Sequence, residues 1–256
     1  MYRAGHLLCQ LGRYDDAVVA SLDAIDFART VTLANVADLV GALHVTGLSH
    51  GKLSQPEKLI EFAKEAIEIC QSDEMIAQSK TNKYFLRDLP QCIQALSEGL
   101  ADTGDEAQAL VHAREAVAAA LNLKAEQPVL PWSPVDFYIL TILNLAIRLL
   151  ANGTPLLGLD HVAQVQEFYR KRSEKRNGAY TIYATVIRNH AIFHCALGQH
   201  DKGIALRTEF MELRNHLKST FPSLSNVVDI GCNSDIARES WFSILSKLEC
   251  YHQDEN

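Results

Sequence analysis

The residues with the plainest chemical potential are His190, His194 and Cys195. On a helix, histidines four apart share a face, an arrangement that zinc ligands use. Ala191, Ile192 and Phe193 lie between them, so no H-E-x-x-H motif is present. A closed zinc site needs four ligands, and packed histidines are therefore the preferred reading. Asp15-Asp16 and Asp235 with Glu239 pose a second question, because carboxylates on helices hold metal ions in all-helical enzymes of the terpene-cyclase kind. Val19 stands where a D-D-x-x-D motif needs its last acid, and a second metal motif is missing. Asp15 and Asp16 fall in the first turn of a predicted helix, where carboxylates stabilise the dipole. Arg170, Lys171, Arg172, Lys175 and Arg176 are the densest charge cluster, a possible site for a small anion or acidic peptide. Glu167 and Glu174 interrupt it and the chain is acidic overall, so a solvated helix end is preferred. No G-x-S-x-G, P-loop or G-x-G-x-x-G occurs. The expectation is a protein without catalytic residues, metal or cofactor.

The elements that carry these residues are helices almost throughout. The chain has 256 residues with 48% hydrophobic and 21% charged residues, a globular composition. Thirteen glycines and seven prolines are too few for a loop-rich all-β protein. A net charge of −7 disfavours general nucleic-acid binding, which needs a basic face to neutralise phosphates. Six widely spaced cysteines with no C-x-x-C pair fit a reduced, cytoplasmic protein. The opening residues lack a signal-peptide pattern. The most apolar run, 139–151, is short and carries Arg148, so no membrane span is expected.

Small and apolar residues recur at spacings of three and four from Asp15, from Pro56, from near Asp105 and from near His200. Each of these helices follows another apolar helix, and glycines mark the junctions. Gly12, Gly51, Gly104, Gly153 and Gly198 are 39, 53, 49 and 45 residues apart, a period that marks an α-solenoid. Leu123–Pro134 and Leu217–Asn233 read as long connections, and 72–88 is ambiguous. Ala237, Trp241, Ile244, Leu245 and Leu248 give 234–250 one apolar face. A helix that is polar on its other face suits the end of an array.

The pattern resembles the tetratricopeptide repeat. Gly12-Arg13-Tyr14-Asp15-Asp16-Ala17 with Ala24 matches its signature, as do Gly104, Ala109 and Ala116, where Glu106 replaces the aromatic residue. Ser54, Leu59 and Ala66 match with Ser in the Gly place; Gly198, Gly203 and Phe210 match more loosely. The long period resembles kinesin light chains and fungal arrays attached to NACHT-type ATPases. The resemblance implies an all-α, right-handed α-solenoid of about five TPR-like helix pairs with a C-terminal capping helix. The whole chain reads as one domain, with helix pairs at about 1–30, 33–71, 88–122, 134–176 and 179–218 and a cap at 234–250. The first pair begins almost inside its first helix, as a piece of a longer array would.

In this family the first helices line a concave groove. Its groove positions fall here on Tyr2, His6 and Gln10; His44, Leu48 and Lys52; Gln91, Gln94, Glu98 and Asp102; Leu140, Leu143, Ile147 and Leu150; Thr185, Arg188 and Ile192. The Lys and Asn pair that grips a peptide's terminal carboxylate in one subclass is missing, so binding of chaperone tails is not expected. The stripe 140–150 either holds an apolar partner or is covered as ordinary core, which is preferred because large exposed apolar patches are uncommon. The resemblance thus implies a non-catalytic scaffold that holds a peptide or partner helix, with His44, Gln94, Glu98 and Arg188 setting specificity. Two alternatives are an interaction or sensor fragment of a larger fungal-type signalling ATPase, and an all-helical enzyme with an unrecognised pocket.

Overall fold

The computed structural model describes residues 2–30, 36–79, 88–126, 134–173 and 180–220. Among them are eleven α-helices and no strand: α1 (Tyr2–Gln10), α2 (Tyr14–Thr30), α3 (Val36–Lys52), α4 (Pro56–Cys70), α5 (Asp73–Ser79), α6 (Leu89–Asp102), α7 (Glu106–Glu126), α8 (Pro134–Ala151), α9 (Pro155–Ser173), α10 (Tyr180–Ala196) and α11 (His200–Thr220). The cap expected at 234–250, both long connections past their helix ends, Asp235, Glu239, Lys175 and Arg176 lie outside the described residues. The chain is an all-α solenoid of helix hairpins. The sequence reading takes it as one domain; the helices group into two compact units, Met1–Thr141 and Ile142–Asn256.

Five hairpins share one turn. In each, three residues separate the helices: 11–13, 53–55, 103–105, 152–154 and 197–199. The amide of the last turn residue reaches back five positions, from Arg13 to the Leu8 carbonyl, Gln55 to His50, Asp105 to Leu100, Thr154 to Leu149 and Gln199 to His194, at 2.8–3.0 Å. This bond ends a helix by turning one residue left-handed and satisfies a carbonyl that the helix leaves open. Gly12, Gly104, Gly153 and Gly198 take that conformation, with φ of 71–89°. In the second hairpin Ser54 takes it, at φ 59°. Gly51, expected at this junction, lies instead within α3. A Cβ there would meet Leu59 Cδ2 at 2.8 Å, so Gly51 serves close helix packing and not the turn.

In the first unit α2 packs on α3 and α4 on α6, while α1 lies against α3 and α3 against α6. First helices are thus neighbours, as in repeat stacks. Small residues permit the approach: Ala17, Ala63, Ala66, Ala109, Ala113 and Ala116 are buried, each matching the expected small-residue stripe. Where α1, α2 and α3 meet, Thr46 Oγ1 donates to Ser21 Oγ at 2.8 Å and Ser21 donates to the Ala17 carbonyl at 2.6 Å. These buried hydroxyls are satisfied without water. The described start of the 72–88 stretch holds the short separate helix α5, its start held by Ser72, whose Oγ accepts from the Met75 amide at 3.3 Å.

In the second unit α9 and α11 both pack on α10. A Cβ on Gly158 of α9 would lie 2.9 Å from the Ala146 carbonyl and nearer still to the Phe193 ring. This glycine lets α9 sit between α8 and α10.

Candidate functional site

In the first unit some of the expected groove positions lie near one another. His6 and Gln10 of α1 are joined by a 3.0 Å hydrogen bond from the Gln10 amide to His6 Nε2. His44 and Leu48 of α3 are half-buried four residues apart, as are Gln94 and Glu98 of α6. Gln94 Nε2 donates to Glu98 Oε1 at 2.8 Å. His44 lies within electrostatic reach of His6 and of Asp88 at the head of α6, and the Cys9 thiol meets the Ser49 hydroxyl. These contacts link α1 to α3, and α3 to the start of α6. Leu48 rests on the core cluster of Leu59, Ala63, Ala95 and Leu96.

Burial drives the His44 imidazole down to about 4, with His6 adding to the shift and Asp88 opposing it. Burial likewise lowers His6. At neutral pH His44 is therefore an uncharged donor and acceptor. Gln91 and Gln94 are half-buried on α6 and Glu98 adds a carboxylate, while Lys52 and Asp102, also half-buried, are the other charged groups among the expected positions.

The apolar stripe of α8 is placed differently from a groove. Leu140 is half-buried, but Leu143 and Ile147 are 1% exposed and Leu150 is buried as well. On α10 Ile192 is 1% exposed and Arg188 and Thr185 are buried. Leu143, Ile147 and Ile192, named as groove positions, are corrected to packed interior, which for the α8 stripe is the alternative preferred from the sequence, while Leu140 stays half-buried. The reason is physical: a wholly apolar stripe is driven out of water unless something else covers it. Arg148, which the sequence marks only as a break in that stripe, is fully buried on α8.

His190 and His194 stack on each other, ring centroids 4.7 Å apart. His190 Nδ1 bonds Gln166 Oε1 of α9, and His194 Nδ1 bonds Gln199 Oε1 at 2.9 Å. Burial lowers His190 to about 4, with His194 adding to the shift. They act as packed, hydrogen-bonded side chains. The same device recurs in the first unit, where His50 Nδ1 bonds Gln55 Oε1 at 2.8 Å and its ring lies flat on Phe62. His50–Gln55 and His194–Gln199 have equal spacing around Ser54 and Gly198. That equality is visible in the sequence and was not part of the reading above.

Among the other candidates, Asp16 pairs with Arg13 at 2.7 Å in the first turn of α2. Glu167 holds Arg170 at 2.8 Å and Lys171 at 3.0 Å, and these two partners pull its carboxyl down to about 2. Arg170 and Lys171 of the basic cluster are thus paired with Glu167, and Arg172 lies over the Phe168 ring. Cys9, Cys70 and Cys92 are free thiols. Among the described residues no helix is long and apolar enough to cross a membrane.

The hairpins, their shared turn and their neighbour-on-neighbour packing define the TPR-like α-solenoid fold, and solved structures agree. The chain is similar to the nearly identical TPR-like repeats described as a kinesin light chain of Podosopora anserina, at 16% identity and a TM-score of 0.54 over 83% of this chain and 92% of that one. A point variant of those repeats gives 15% identity and 0.56 over 85% and 94%. The Rap conjugation gene regulator of plasmid pLS20, solved in complex with the Phr* peptide, gives 14% and 0.52 over 96% of this chain and 61% of that one. No family model and no curated protein matches the sequence.

Proposed function

We propose that this chain is a non-catalytic protein-interaction scaffold, and that the face formed by α1, α3 and α6 holds an extended peptide segment. The observation that carries the reading is the make-up of that face. His44, Gln94 and Glu98 stand half-buried on adjoining helices, and His6, hydrogen-bonded to Gln10, lies within electrostatic reach of His44. Imidazole and carboxamide groups donate and accept together, which matches the alternating amides and carbonyls of an extended backbone better than it matches a charged ligand. Leu48 supplies an apolar contact between them. A fold relative bound to a peptide, the Rap regulator, lends support.

The burial of Leu143, Ile147 and Ile192 moves the proposed contact from the α8 stripe to the α3 and α6 residues. The test follows that shift. A pull-down from source-cell extract with the wild-type chain identifies a partner, and the Gln94→Ala/Glu98→Lys double variant is then compared by fluorescence polarisation on a peptide of that partner. We expect at least a tenfold loss of affinity with unchanged circular dichroism, since removing a hot-spot contact costs about 2 kcal/mol or more. Unchanged affinity removes this face from the proposal.

A further inference from the structure

A second surface lies away from those residues, at the joint where α3 begins and α4 gives way to α5. Val36, Leu39, Ile69 and Met75 line a recess of about 440 Å³ together with Glu65, Glu68, Ser72 and Glu74. The volume is within the range of roughly 300–1,000 Å³ typical of ligand pockets. Its floor belongs to the core: Met75 is 2% exposed, and Val36, Leu39 and Ile69 pack against the cluster around Ile25, Val40, Leu43 and Cys70. The walls are held in place, because Ser72 bonds the Ile69 carbonyl at 2.8 Å and caps α5. The rim is acidic. Glu65 is paired with Arg29 at 2.6 Å, whereas Glu68 and Glu74 make no ion pair among the described residues.

We infer that this recess docks a basic, apolar-centred protein segment: one or two aliphatic side chains enter the floor while flanking Lys or Arg meet Glu68 and Glu74. Charge complementarity selects this occupant. An acidic or neutral segment would leave two carboxylates facing an apolar ligand with no counter-charge, while a basic one pairs them at an open rim where desolvation is small. None of the side chains proposed for peptide binding on α1, α3 and α6 lines the recess, so the two surfaces stand or fall separately.

The probe is a fluorescein-labelled peptide with a Leu-Leu centre flanked on each side by two Lys, and a matched peptide with Ser in place of every Lys. Both are titrated with the full 256-residue chain in 150 mM salt. The basic peptide is expected to bind, and the Ser peptide to bind at least tenfold more weakly. Glu68→Lys/Glu74→Lys should weaken the basic peptide about tenfold. Because the chain carries a net charge of −7, Asp201→Lys/Glu212→Lys, two exposed acids of α11, serves as a matched change in charge and should leave binding within about twofold. Equal affinity for the two peptides, no effect of Glu68→Lys/Glu74→Lys, or the same loss in both double variants each overturns the inference.

Discussion

A buried histidine reports the state of its surroundings through its proton. His44 and His190 are held near 4 by burial, against about 6.5 in an unfolded chain. Between those values the unfolded state binds protons that the folded state refuses, so acidification drains stability; above about 6.5 neither form binds them and the contribution is flat. Each is worth roughly 1–3 kcal/mol once fully lost. Urea midpoints measured from pH 7.5 down to pH 4.5 should therefore fall, and His44→Gln should fall less steeply than wild type. Parallel slopes would show that His44 is not the proton acceptor. The residue scale is also where the sequence was least readable. Leu143 and Ile147 carry the same letters whether they face a ligand or a neighbouring helix, and only coverage by other elements separates the two. At the second turn the sequence offered two candidates, Gly51 by the spacing of glycines and Ser54 by the repeat signature, and Ser54 takes the left-handed conformation.

At the scale of the helix the sequence said much more. Alanine at spacings of three and four, with a small residue at each crossing, is a direct consequence of two backbones lying close together. That is why the hairpins were visible without coordinates, while α5 was not: seven residues, 73–79, give too little periodicity to read. Glycines on this scale do two different jobs, and they predict opposite environments for one mutation. Gly104 has φ +89° and open space around its Cβ direction, so Gly104→Ala pays only left-handed strain, about 1 kcal/mol. Gly158 is helical, where alanine would ordinarily gain about 1 kcal/mol. Here the new methyl would press on Phe193 and the Ala146 carbonyl, and overpacking of about 1–3 kcal/mol reverses that sign. Chemical denaturation of both variants checks it; a stabilised Gly158→Ala would mean that α9 can move off α10 freely.

For the whole molecule, stability in stacked hairpins comes from neighbours, and about three are needed before a stack stands alone. The first unit contains three, α1–α2, α3–α4 and α6–α7. The fragment 1–126 should accordingly stay helical with a cooperative melt, whereas 134–220, with two hairpins, should not. Circular dichroism melts of the two fragments decide it, and a non-cooperative 1–126 would contradict nearest-neighbour stabilisation. The repeat architecture was legible at this scale because it is written many times over; the division at residues 141 and 142 was not, since it falls inside α8, whose sequence continues without a break.

The five turns are three residues long without exception. A helix advances its side chains by about 100° per residue, so a single extra residue at a turn would swing the whole following helix off its neighbour. These five seams are therefore places where the gene can neither add nor remove a codon without unseating a helix.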